Sequence, residues 1–155
     1  MNEYAVVKTI HVISSTLLFG TGIGSAFYML FASLDRDPRT VLFVVRFVVI
    51  ADWLFTTTAV IVQPVSGLWL AHLAGFPLTS TWLAWSIGLY FVAGACWLPV
   101  VWMQVRMRDM ARVAVGQGTP LPARYFRFFR LWVLLGIPAF LSLVAVFYLM
   151  VAKPA

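Results

Sequence analysis

Residues 4–34, YAVVKTIHVISSTLLFGTGIGSAFYMLFASL, run for thirty-one positions with one charge, Lys8. A helix rising about 1.5 Å per residue needs roughly 20 apolar residues to cross a hydrocarbon core of about 30 Å. The stretch is therefore read as a transmembrane helix. It opens on Asn2 and Glu3 instead of a basic cluster, and it outlasts the roughly 7–15-residue apolar core of a signal peptide, so it reads as retained. It ends at DRDPR, where Asp35, Arg36, Asp37 and Arg39 mark water and Pro38 breaks the helix.

Three similar runs follow, giving expected helices over about 4–34, 41–70, 81–113 and 125–152. The sequence is 63% hydrophobic and 10% charged, where a soluble domain carries about 25% charged residues. The expectation is a single all-α transmembrane domain over residues 1–155, an integral membrane four-helix bundle. In the third helix Met103, Met107, Met110 and Val113 recur at helical spacing, which predicts an amphipathic extension past the bilayer. One cysteine, Cys96, lies in an apolar run, which excludes an internal disulfide framework and a multi-cysteine metal site.

Basic residues set the expected orientation. The first connection carries Arg36 and Arg39, the third carries Arg106, Arg108, Arg112, Arg124, Arg127 and Arg130, and the second carries no lysine or arginine. The positive-inside rule then places the first and third connections in the cytoplasm and both termini outside. Trp69, Trp82 and Trp85 are expected in an outer aromatic belt, and Trp102, Tyr125 and Trp132 in an inner one. The net charge of +6 is assigned to topology and to anionic headgroups, with Arg124, Arg127 and Arg130 as a lipid-phosphate stripe, and not to nucleic acid.

Ionisable groups inside a bilayer are costly and so mark candidate sites. Tyr4, Lys8, His11 and Ser15 follow an i, i+4, i+7, i+11 rhythm, which predicts one polar stripe descending into the outer leaflet. Asp52 lies near mid-membrane, where it must be protonated, hydrogen-bonded or beside a wet cavity. Arg46, six residues earlier, lies about 120° away around the helix and is expected to snorkel to headgroups. Pro64 cannot donate to the carbonyl of Val60 and so frees an acceptor beside Gln63; Pro99 and Pro138 do the same to Ala95 and Leu134. By depth, Gln63, Tyr90 and Tyr148 are expected to join Lys8 and His11 in one outer-leaflet pocket. His72 is expected at the surface. GTGIGSA, with Gly20 and Gly24 four apart, is expected to be a helix-packing seam.

The opening YAVVKTIHVISSTLLFGTGIGSAFYML resembles the start of two groups of small bacterial membrane proteins, the HemJ-type protoporphyrinogen oxidase and the CopD-type copper-resistance domain. The HemJ resemblance implies haem b, with His11 as an iron ligand or close neighbour and Lys8 and Tyr4 holding an acidic group such as a propionate. Over most of the chain, KTIHVISSTLLFGTGIGSAFYM, VQPVSGLWL, WLPVVWMQVRMRDMA and YLMVAKP resemble DUF2269, a family of bacterial four-helix integral membrane proteins of unknown function, which implies the bacterial inner membrane. Three functional expectations follow: a haem b-associated redox protein with Asp52 handling protons, a non-catalytic scaffold or subunit of a larger membrane assembly or homo-oligomer, and a small-solute or metal transporter.

Overall fold

A computed structural model describes residues 2–154. Its elements are α1 (Glu3–Asp35), α2 (Pro38–Ala51), a π-helical turn (Asp52–Thr56), α3 (Thr57–Leu73), α4 (Thr81–Gln117) and α5 (Ala123–Ala152), with no strand among the described residues. Since α2, the π turn and α3 form one continuous rod, there are four helices long and apolar enough to cross a membrane. The third is longer than expected, running to Gln117 where Gly118 closes it at φ 63°. The apolar surface faces outward. Only 6% of the most apolar window of α5 is buried within the protein, the arrangement a hydrocarbon solvent favours.

The ends are capped by identifiable chemistry. Asn2 accepts from the Tyr4 N–H to start α1, and the Asp37 carboxylate accepts from the Thr40 N–H and hydroxyl, each at 2.8 Å, to start α2 with Pro38 in its first turn. These groups satisfy N–H donors that a helix leaves unpaired at its first turn. At the far end Arg36 turns the chain through the left-handed region at φ 63°.

Adjacent rods run antiparallel, so both termini share one end with the α3–α4 turn; there the Lys153 ammonium lies 4.7 Å from the Phe76 ring centroid and 5.7 Å from that of Trp82. α5 packs along α4, α4 along α2, and α1 along α2 and α3. The best-packed core lies toward the opposite end, where Met29, Val41, Val45, Met107 and Tyr125 are fully enclosed. Tyr125 is held there by a 2.7 Å hydrogen bond with Ser33.

Several expected faces are rotated. The buried line of α4 is Met103, Met107, Ala111 and Ala114, in one core cluster with Val41 and Val45 of α2, while Val113 faces out. Trp82, Tyr125 and Trp132 are buried instead of joining interfacial belts, whereas Trp69, Trp85 and Trp102 are exposed. Nothing lies within 4 Å of a Cβ built on Gly20 or Gly24, so these glycines make no close helix contact within the described residues, while Ala26 packs on the core.

The Asp37 cap carries a pH signature. Hydrogen bonds from Thr40, backbone first and hydroxyl second, hold its carboxyl below the ordinary 3.8. A lowered folded value means the cap stabilises fully above the ordinary value and is lost as pH falls through the folded one. Asp37→Ala is expected to lower the melting temperature in detergent at neutral pH, Asp37→Asn to retain most of it, and the wild-type advantage over alanine to vanish in acid.

Candidate functional site

His11 faces α3 and is gripped on both ring nitrogens. Its Nδ1 lies 2.9 Å from Ser66 Oγ and its Nε2 lies 3.1 Å from Gln63 Nε2. One set of protons satisfies all of these contacts: the Gln63 amide donates to Nε2, Nδ1–H donates to Ser66 Oγ, and the Ser66 hydroxyl donates to the Val62 carbonyl at 2.7 Å. Gly67 makes the approach possible, because a Cβ there would lie 3.1 Å from His11 Cε1. Two further bonds extend this seam between α1 and α3. Trp69 Nε1 donates to Glu3 Oε1 at 3.1 Å and the Ser14 hydroxyl to the Ala59 carbonyl at 3.4 Å.

The stripe on α1 is thus Glu3, His11 and Ser14, not Tyr4, Lys8 and Ser15. Lys8 is exposed with its ammonium 5.8 Å from the Tyr4 ring centroid, and Ser15 bonds its own helix at Val12. Both stripes suit a 3.6-residue period, and they differ by a rotation too small for spacing to resolve. Of the expected pocket, Gln63 does meet His11. Tyr90 goes elsewhere, Tyr148 is 67% exposed, and His72 and Arg46 both face outward.

The second centre lies at mid-span. In the π turn the Thr57 N–H reaches back five residues to the Asp52 carbonyl. The Thr57 hydroxyl donates to the same oxygen at 2.9 Å, and the Thr56 hydroxyl donates to the Asp52 carboxyl at 2.9 Å. Single π turns inside α-helices recur at functional sites. This one carries Asp52, 4% exposed, onto the wall of a cavity of about 520 Å³ between α1, the π turn, α4 and α5. The neighbouring wall is closed by the proline defect: Tyr90 donates at 2.7 Å to the carbonyl of Val60, the acceptor that Pro64 leaves free.

Glycines on three helices hold the cavity open. Gly22, Gly94 and Gly136 line it, and a Cβ on any of them would meet nothing within 4 Å. Most of the lining is apolar, and three of the lining residues each bury a polar atom without a partner among the described residues: Trp97 Nε1, Gln104 Oε1 and Trp132 Nε1. Gln104 and Trp132 are 2% and 7% exposed. A buried donor or acceptor left unmet costs about 1–3 kcal/mol; these three atoms are enclosed by protein and not open to the cavity. Ile23, Phe27, Ile137 and Leu141 line it while also facing out, so its mouth opens toward lipid between α1 and α5.

An axial haem ligand needs an imidazole nitrogen facing iron. Here both His11 nitrogens are engaged by α3, Gly67 closes on the ring, and His11 is not among the cavity residues. In this arrangement the residues around His11 do not fit a haem iron. The sequence singles out Asp52, Gln63 and the freed Val60 carbonyl and reads Trp132 only as a belt residue; Trp97, Gln104 and Gly67 carry no local signal beyond a tryptophan, a glutamine and a glycine inside long apolar runs.

Comparison with known proteins gives one match. The model of a family described as a predicted integral membrane protein, DUF2269, covers residues 5–154. No curated protein and no solved structure matches the chain.

Two substitutions test this geometry. Tyr90→Phe is expected to cost about 0.6–2 kcal/mol, the range of interhelical hydrogen bonds in lipid, measured by unfolding in mixed detergent micelles. His11→Ala, which strands Gln63 and Ser66, is expected to cost about 1–3 kcal/mol without altering the visible spectrum. A Soret band that disappears in His11→Ala would overturn the structural assignment of this histidine.

Proposed function

We infer that this chain, which belongs to the DUF2269 family of predicted integral membrane proteins, is an intramembrane binding protein that takes a lipid-soluble ligand into its mid-span cavity. The observation that carries the reading is an apolar cavity, open between two helices, whose wall includes the carboxyl-bearing Asp52 together with Thr56 and Gln104. A cavity of about 520 Å³ falls in the range of small-molecule pockets, which are mostly apolar with a few convergent polar groups.

The reading assigns each part a role. Gly22, Gly94 and Gly136 make room; Asp52 and Gln104 supply the polar part of the wall; the gap between α1 and α5 admits the ligand sideways from the bilayer. The Tyr90–Val60 bond and the His11 clasp set the separation of the helices around the space. Haem b, implied by the α1 resemblance, would have to be held without His11, and the scaffold reading gives the cavity no task.

Filling the space separates these possibilities. Gly136→Leu and Gly94→Leu place a side chain where a Cβ meets nothing within 4 Å, and replacing a helical glycine favours the helix by about 0.5–1 kcal/mol. Both variants are expected to fold with unchanged or raised melting temperature. Mass spectrometry of organic extracts from the purified proteins should find a compound near one equivalent in the wild type and a loss of at least about tenfold in each variant, equivalent to about 1.4 kcal/mol. Equal content in all three, or an empty wild type after incubation with a total lipid extract, would overturn the reading.

A further inference from the structure

We propose that Arg106 and Arg124 hold an anionic phosphate group in the cleft between the end of α4 and the start of α5, at the end of the bundle away from the termini and apart from the mid-span cavity. Arg106 stands one turn past Trp102 on α4, and Arg124 one turn before Phe128 on α5. The guanidinium carbon of Arg106 lies 5.5 Å from the Trp102 ring centroid and that of Arg124 lies 5.2 Å from the Phe128 ring centroid, while the two rings meet at 5.5 Å. Both arginines therefore lean back toward the apolar spans, onto one aromatic platform shared by two helices. A guanidinium stacked on a ring keeps its N–H edge for an acceptor, and its planar fork matches two oxygens of a phosphate.

The two cations line one cavity of about 350 Å³ together with Asp109, Met110, Val113 and Phe128. Asp109 does not answer them, because its Oδ1 accepts from Arg108 Nε at 3.0 Å and Nη2 at 2.8 Å. That is the one ion pair among the described residues, so neither Arg106 nor Arg124 has a carboxylate of its own. Two like charges brought to one cleft in this way call for an anion. Counting about 20 residues for a crossing that begins at Thr81 puts Trp102 at the hydrocarbon boundary and Arg106 one turn beyond it, the depth of lipid headgroups. The phosphate can come from an anionic phospholipid or from water. Met110, Val113 and Phe128 give the cleft an apolar side that suits the start of an acyl chain, which favours the lipid. Arg127 and Arg130, the rest of the basic stripe, do not line the cleft.

The test titrates the full chain in detergent with phosphatidylglycerol and with phosphatidylcholine, reading one-to-one adducts by native mass spectrometry. Phosphatidylglycerol is expected to bind at least about tenfold more tightly. Arg106→Gln and Arg124→Gln should each weaken it about tenfold, the size of a charge-assisted hydrogen bond. Arg127→Gln and Arg130→Gln remove the same charge outside the cleft and should weaken it less than about twofold. Trp102→Leu, which keeps every charge and removes one ring of the platform, should weaken it about threefold. Sodium phosphate that releases the lipid where sodium chloride of equal ionic strength does not would keep the site and assign it to a soluble phosphate. Equal losses in all four arginine variants, equal binding of the two lipids, or the absence of both lipid and phosphate adducts would overturn the site and leave a diffuse basic surface.

Discussion

Inside a hydrocarbon solvent a backbone carbonyl or amide that leaves its helical ladder must find a partner within the protein, and this constraint organises the second rod. The ladder is disturbed twice within a dozen residues, by the π turn at Asp52–Thr56 and by Pro64. Both are flanked by hydroxyl bonds: Thr57 adds a second donor to the Asp52 carbonyl, which already accepts the Thr57 N–H, and Tyr90 reaches from α4 to serve the Val60 carbonyl that Pro64 leaves free. The cavity lies beside this disturbed stretch, lined by Asp52, Thr56 and Val60.

The polar clasp at His11 works on the same principle with the opposite outcome. There every bond draws two helices together, Gly67 removes the last obstacle, and the imidazole is consumed by the contact. At mid-span Trp97 Nε1, Gln104 Oε1 and Trp132 Nε1 are enclosed without a partner. A histidine is the conspicuous functional candidate in an apolar sequence, yet here it ties helices together.

How much of this the sequence discloses depends on range. Length and hydropathy place four helices because crossing a bilayer is a local, one-dimensional demand. Pro64 announces an unpaired carbonyl four residues back, also a local fact. Which hydroxyl takes it depends on a tyrosine thirty residues away, beyond any spacing rule. Spacing leaves the face of α1 that meets α3 open for the same reason: Lys8 and His11 share one side of a helical wheel, and only packing against Gly67 decides how far the helix turns. The cavity is the extreme case. Its openness comes from glycines on three separate helices, each of which alone reads as a weak packing signal.

The repair of Val60 by Tyr90 also has a consequence for biosynthesis. The His11 clasp needs only the first two spans, since His11, Gln63 and Ser66 all belong to them. The Val60 carbonyl and the Asp52 carboxyl then face lipid or the translocation machinery until α4 brings Tyr90 and Gln104 alongside. The N-terminal hairpin is therefore an incompletely satisfied intermediate, held at its terminal end and open at its middle. Insertion of the third span is the step that makes the second one safe in the membrane.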